Sequence, residues 1–485
     1  MKEKSLKTNF IMNSILTMSS FIFPLITFPY ISRILMPVGS GKVSFASSLI
    51  QYFNMFAQLG IPVYGIRMCA QVRDNRKELT RVAHELLFLN TIMALVSYLF
   101  LAIALVFVPR LQEDRWLYII VSFTIILTDI GMNWLYQALE QYTYITIRSL
   151  VFKIIAIIAM FLLVKSKNDY MIYGAISIFA GSASNICNFI NVHKFIDLRP
   201  VGNYNVKRHI KPVLVFFAMS CATTIYTSLD TVMLGFLKTD KDVGYYSAAV
   251  KVKSILVSIV TSLGTVLLPR TSYYITAGKI DEFRSVNKKA INFVLLASLP
   301  MSLYFMLFAK QGIYLLSGEQ YNGAIIPMQI IMPTLIFIGI SNILGIQILI
   351  PLRRETTVLV SEILGAITDF VLNLILIPKF GASGAAIGTL IAELIVVLVQ
   401  GVALKNSIRY YFKGIQIWKI IISLLIGTIL CIWTISLGLA PFFILLISSC
   451  IFWGSYCIIL IIIKEPLVIE ITNQLFNKIN LHFKV

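Results

Sequence analysis

The chain has 485 residues, 58% of them hydrophobic and only 13% charged, with a mean hydropathy of +0.85. A water-soluble protein of this length needs a far larger polar fraction to cover its surface, so the composition excludes a soluble enzyme or binding domain and points to a chain that crosses a membrane many times. Its 41 Lys and Arg against 22 Asp and Glu give a net charge of +19, and whether that means nucleic acid depends on where the charges fall.

Apolar stretches of about 20 residues, enough to cross a hydrocarbon core roughly 30 Å thick, recur along nearly the whole sequence. Fourteen spans are expected, at 9–35, 43–66, 82–108, 116–138, 146–164, 171–193, 212–237, 243–268, 290–309, 322–350, 356–378, 382–402, 417–437 and 441–463. Runs such as "LLIGTILCIW" (424–433) do not alternate, so the spans are helices and the fold class is an all-α membrane protein. The first span follows "MKEKSLK"; its apolar part is too long for a signal peptide and no small-residue cleavage site follows. Pro24 and Pro29 interrupt the first span, Pro300 the ninth, and Pro327 and Pro333 the tenth, each a place for a helix to bend.

Most of the Lys and Arg lie in the loops between even and odd spans and in the two tails, including "RDNRKELTR" (73–81), "KRHIK" (207–211) and "KK" (288–289). That asymmetry places this side, with both termini, in the cytoplasm, and makes the basic clusters topology determinants. No nucleic-acid partner is expected. The six cysteines fall in or beside spans with no C-x-x-C pair, and the four histidines are scattered, so no metal or cofactor site is expected.

"GKVSFASSLI" (41–50) and "DVGYYSAAV" (242–250) match at an offset of 200 residues, Val43 with Val243, Phe45 with Tyr245 and Ser47 with Ser247. An offset holding six spans makes the repeats parallel. The expected domains are an N-terminal six-helix bundle (1–205), a second six-helix bundle (206–404) facing it across a cavity, and two added spans with a cytoplasmic tail (405–485).

"SRILMPVGSGKVSFA" (32–46), "YGIRMCAQVRDN" (64–75), "NWLYQALEQYTYITIRS" (133–149) and "SLDTVMLGFLKTDKDVGYYSAAVKV" (228–252) together resemble the bacterial oligosaccharide flippases of the multidrug/oligosaccharidyl-lipid/polysaccharide exporter superfamily. The resemblance covers nearly all of the chain. Of that family's pattern Arg-x-Leu-Gly-Pro-x-Gly-x-Gly, the sequence keeps Arg33, Leu35, Pro37, Gly39 and Gly41 and has Met36 at the first Gly. The resemblance implies a flippase, not an enzyme. It would move undecaprenyl-diphosphate-linked oligosaccharide repeat units to the outer leaflet of the plasma membrane by alternating access, beside other membrane proteins of polysaccharide assembly; a monomer is expected, because a cavity between two bundles needs no second chain.

A sugar chain and a diphosphate need a polar, cationic path, because desolvating each polar group costs several kcal/mol. The candidates are Arg33 near the outer end of the first span, Arg67 and Arg270 at the cytoplasmic ends of the second and eighth, and Lys251 and Lys253 within the eighth. Arg67 and Arg270 serve equally well as topology determinants. Lys251 and Lys253, two apart, point about 200° from each other, so only one faces a given interior. Asp230 sits in "SLDTVMLGFL" (228–237) at the depth of Lys251, which leaves a salt bridge and ion coupling both open. Glu362 and Asp369 share a face of the eleventh span with Asn373 one turn on, and Thr389 and Glu393 follow in the twelfth. Relatives of the family hold a cation in this bundle, so Asp230, Asp369 and Asn373 become the expected core of a site for sodium or a proton, the only small ligand implied. Asp129 is the further intramembrane acid to test, and Lys153 is expected one turn or two from the inner surface, where it can snorkel.

Two other readings remain. A membrane glycosyltransferase or polymerase could use the Asp-x-Asp of "DKD" (240–242), but the loops are short and that segment suits a helix cap. A multidrug exporter of the same superfamily would prefer an acidic cavity.

Overall fold

The computed structural model describes residues 6–482, so the first residues of the basic tail assigned to the cytoplasm lie outside the described residues. Every regular element among the described residues is a helix. Among the described residues, ten helices are long and apolar enough to cross a membrane, or up to twelve if each of two bent pairs is one span. The count differs from the expected fourteen partly because the first two stretches run together in Thr8–Gln71. The fourth breaks at Met132, whose φ is +38°, into Arg115–Gly131 and Asn133–Ala138. The tenth bends by 44° between Ile331 and Thr334, where Pro333 lies.

Large apolar side chains cover the outside: Phe100, Phe107, Ile429 and Ile462 are all at least 60% exposed, while Asn188, Asn287, Ser298 and Gln347 are fully buried. That distribution suits hydrocarbon as the surrounding solvent, with polar groups turned inward to find partners.

The chain divides into two compact units, Met1–Gly244 and Tyr245–Val485. The first holds α1 (Leu6–Gln58), α2 (Ile61–Gln71), α3 (Arg76–Phe107), α4 (Arg115–Gly131), α5 (Asn133–Ala138), α6 (Tyr142–Leu163), α7 (Tyr170–Ile178), α8 (Asn185–Asn191) and α9 (Lys207–Leu237), and α10 (Asp240–Thr276) begins in it. Met36 bends α1, with φ 57° and ψ 178°, immediately before Pro37. The proline ring disfavours helical geometry in the residue before it, so the chain turns there, in a region of backbone space that glycine favours. The bend is present with Met in the position where the family pattern has Gly. Just beyond it, a Cβ on Gly41 would strike the Asp240 carbonyl and one on Gly244 the Pro37 carbonyl, so these glycines let the two backbones touch.

Helices α1 and α6 run parallel. Thr146 donates to the Met12 carbonyl, Lys153 to Ser19 Oγ and Tyr30 to the Val164 carbonyl, all between residues 134 apart in sequence. A constant separation means that both helices advance in the same direction, as odd-numbered spans must.

The second unit holds α11 (Ile280–Leu307), α12 (Ala309–Ser317), α13 (Ile325–Ile331), α14 (Thr334–Asn342), α15 (Glu355–Phe380), α16 (Ala382–Ala403), α17 (Ile417–Ile432), α18 (Pro441–Ile462) and α19 (Pro466–His482). Its core joins Phe283, Val294, Tyr304, Phe308, Ile348, Phe452 and Tyr456. Tyr304 satisfies its buried hydroxyl on Ser448 and the Leu445 carbonyl, which ties α11 to α18.

Candidate functional site

The small residues of "GASGAAIGT" (381–389) bring α16 close against α15. Gly381 turns the chain at φ 54°, and Gly384 sits against the Leu376 carbonyl. Gly388 faces the oxygens of Asp369 and Asn373, leaving no room for a Cβ. Those two residues, one turn apart on α15, are 2% and 0% exposed. Thr389 donates to the Ala385 carbonyl at 3.0 Å and accepts from Tyr246 at 2.9 Å. Glu393, one turn further along α16, is buried as well. Carboxylate, amide and hydroxyl oxygens converging inside a membrane span can hold a hard cation or an exchangeable proton.

Asp369 and Asn373 thus come together within the second unit. Asp230 lies on α9 in the first unit, 7% exposed. Glu362 is only half-buried. Tyr246 escaped the sequence reading, although it stands within the repeat motif "DVGYYSAAV".

The cationic candidates are more exposed. Arg33 is exposed on α1 and donates to the Pro29 carbonyl at 2.6 Å. Arg67 is exposed on α2, and Arg270 is exposed on α10, where its Nε donates to Tyr274 at 2.7 Å. Lys251 and Lys253 are both half-buried on α10. Lys153 does not snorkel: its ammonium turns to α1 and donates to Ser19 Oγ at 2.8 Å and Ser20 Oγ at 3.1 Å.

The sequence reading missed a buried guanidinium. Arg148, 8% exposed on α6, donates to Ser184 Oγ at 2.6 Å, to Asn185 Oδ1 at 3.1 Å and to Asn133 Oδ1, and its Nε finds no acceptor among the described residues. All its partners are neutral. Asn133 opens the third quoted motif and Arg148 is its last residue but one, the signal that could have pointed here. Asp129 on α4 likewise receives only neutral donors, from Asn90 and from Thr91 at 3.2 Å.

The ends of the first unit's helices are matched instead. Glu85, fully buried, binds Arg208 at 2.6 Å and His209 at 2.7 Å and accepts from the Asn205 backbone, while Tyr64 meets the other nitrogen of His209 at 2.8 Å. With Nε2–H given to Glu85, Nδ1 of His209 accepts from the tyrosine. At the opposite ends, Lys42 pairs with Asp114 at 2.8 Å, and Arg110 binds Glu113 at 2.8 Å and Asp240. Partial burial pulls the Arg110 pKa down, but the charge and hydrogen bond of Asp240, with the charge of Glu113, together turn the net direction upward. At the foot of α7, backbone N–H groups of Lys165 and Ser166 hold the Asp169 carboxyl below the usual range.

Residues 6–274 match the family described as "Polysaccharide biosynthesis protein", and residues 216–375 match "MatE". A "Putative O-antigen transporter" of Escherichia coli (strain K12) is 25% identical over 407 residues, 83% of this chain and 97% of that protein. A protein of the same description from Shigella dysenteriae is 25% identical over 419 residues, 82% of this chain and 100% of that one. The "Probable low-salt glycan biosynthesis flippase Agl15" of Haloferax volcanii is 22% identical over 277 residues, 56% of this chain and 57% of that protein. Among solved structures, "Lipid II flippase MurJ, inward closed conformation" shares the fold, with a TM-score of 0.73 at 18% identity over 94% of this chain and 100% of that one. The first family match spans more than half of the sequence: the chain belongs to the polysaccharide biosynthesis protein family, membrane transporters rather than enzymes, within the multidrug/oligosaccharidyl-lipid/polysaccharide exporter superfamily.

Proposed function

We propose that this protein moves undecaprenyl-diphosphate-linked oligosaccharide repeat units from the inner to the outer leaflet of a bacterial plasma membrane, with both termini in the cytoplasm. The match along almost the full length of O-antigen transporters carries the reading. The physics agrees with it. A polar head group attached to a lipid needs a path with charges inside the membrane, while its tail can remain in the bilayer. Arg33, Arg67, Arg270 and one of Lys251 and Lys253 meet the diphosphate and sugars along that path. Alternating access is coupled to sodium or a proton held by Asp230, Asp369 and Asn373, a role supported by the burial of all three and by the convergence of Asp369 and Asn373 on Gly388.

The test is depletion of the protein in its own cell, followed by assignment of the membrane face on which lipid-linked single repeat units accumulate. Accumulation on the cytoplasmic face is expected. Accumulation on the outer face would instead indicate a polymerase or transferase, and no accumulation would indicate export of another substrate.

A further inference from the structure

Between α1 and α6 lies a groove of about 380 Å³, open along one side. Met18, Ile22 and Ile26 line it from α1, and Leu150, Ile154 and Ile157 from α6. At roughly 30 Å³ for each group the size of a water molecule, it holds about a dozen chain carbons. Among these aliphatic walls stands one ionisable side chain, Lys153.

Its depth is what sets this lysine apart. Lys153 is 11 residues from the first residue of α6 and 10 from the last, about 16 Å and 15 Å along the axis, which puts it near the middle of a core roughly 30 Å thick. An ammonium there needs compensation. Ser19 and Ser20 supply two acceptor oxygens, both of which also donate to the Leu16 carbonyl. An ammonium has three donors, and Lys153 makes no ion pair among the described residues. Two neutral oxygens leave the charge itself unmatched, and surrounding acyl chains offer nothing to match it.

We propose that this groove is a mid-membrane station for the lipid-linked saccharide, with the polyprenyl chain lying along the aliphatic walls and a phosphate oxygen accepting the third N–H of Lys153. The inference rests on the flippase reading. It selects one lipid over the other by depth. A resident phospholipid keeps its phosphate at the interface, about 15 Å from Lys153, so only a lipid whose phosphate is carried through the bilayer delivers an anion there. The parallel course of α1 and α6, bonded at Thr146, Lys153 and Tyr30, keeps the walls in register over the whole crossing.

Native mass spectrometry of the full chain with undecaprenyl phosphate as the probe tests it. Wild type should retain the probe, Lys153→Met should lower retention at least tenfold, and Lys153→Arg should keep it. Ile22→Trp, which fills the groove and leaves the charge, should lower retention as Lys153→Met does. Equal retention by Lys153→Met and wild type overturns the proposal. So does displacement of the probe from wild type by an equal concentration of phosphatidylglycerol, which would make the groove an ordinary anionic-lipid site. The depletion experiment above reads the flippase function separately: accumulation on the cytoplasmic face with unchanged probe binding in Lys153→Met removes the station alone, whereas no such accumulation removes the functional reading beneath it.

Discussion

The charges of the first unit fall into two sets that are handled in opposite ways. In one, Glu85 meets Arg208 and His209, Lys42 meets Asp114, and Arg110 meets Asp240 and Glu113. In the other, Arg148, Lys153 and Asp129 meet amides and hydroxyls instead. A matched pair is cheap to keep and locks two segments together. An unmatched charge inside hydrocarbon destabilises the fold, so its presence asks for a role that stability does not supply.

The largest effect should come from breaking a matched set. Glu85→Ala leaves buried His209 and the Arg208 guanidinium without their acid and frees the Asn205 backbone donor. Removing one partner of a buried pair costs about 3–5 kcal/mol. Thermal unfolding in detergent should show a loss in that range, and a loss below about 1 kcal/mol would mean that the cluster does not hold the start of α9 to α3. Arg148→Met should cost less, about 1–3 kcal/mol, because it takes the donor from Ser184 Oγ without orphaning an opposite charge, while Asn185 Oδ1 keeps the Asn133 amide and Asn133 Oδ1 the Asn188 amide. If both variants lost equal stability, the distinction between matched and unmatched charges would fail.

Much of this was legible in the sequence. Hydropathy located the apolar helices because each must satisfy its own backbone in lipid, and that requirement is written into runs of about 20 residues. Asp369 and Asn373 were legible as a pair because i, i+4 spacing fixes a shared face before any neighbour is known. What faces them was not: Gly388 meets their oxygens, and Tyr246 meets Thr389 beside it, through helix packing, which no single helix encodes. Lys153 was misread for the same reason, since its direction is decided by Ser19 and Ser20 on a helix 134 residues away.

Met36 shows local sequence partly legible. The family pattern has glycine at this position, and Met36 in its place takes φ 57° and ψ 178°, a conformation that costs a non-glycine residue about 1–3 kcal/mol. Met36→Gly should therefore stabilise the protein by about 1 kcal/mol, after allowance for roughly 0.5–1 kcal/mol of glycine's greater entropy loss. A drop in melting temperature would mean that the Met36 side chain contributes more than its backbone strains.

The smallest effect on stability is expected at Lys153. Lys153→Met removes a charge that no acid balances, and Ser19 and Ser20 keep their own donors occupied on the Leu16 carbonyl, so nothing buried is left unsatisfied. Unfolding should shift by no more than about 0.5 kcal/mol, or move toward greater stability, the range usual for positions without a structural role. Delivery of repeat units to the outer face in cells should nonetheless fall. A clear loss of stability with delivery intact would place Lys153 among the matched groups, its serine contacts being structure enough. Unchanged stability with lost delivery would put its compensation where the fold holds no acid, on a lipid phosphate in passage.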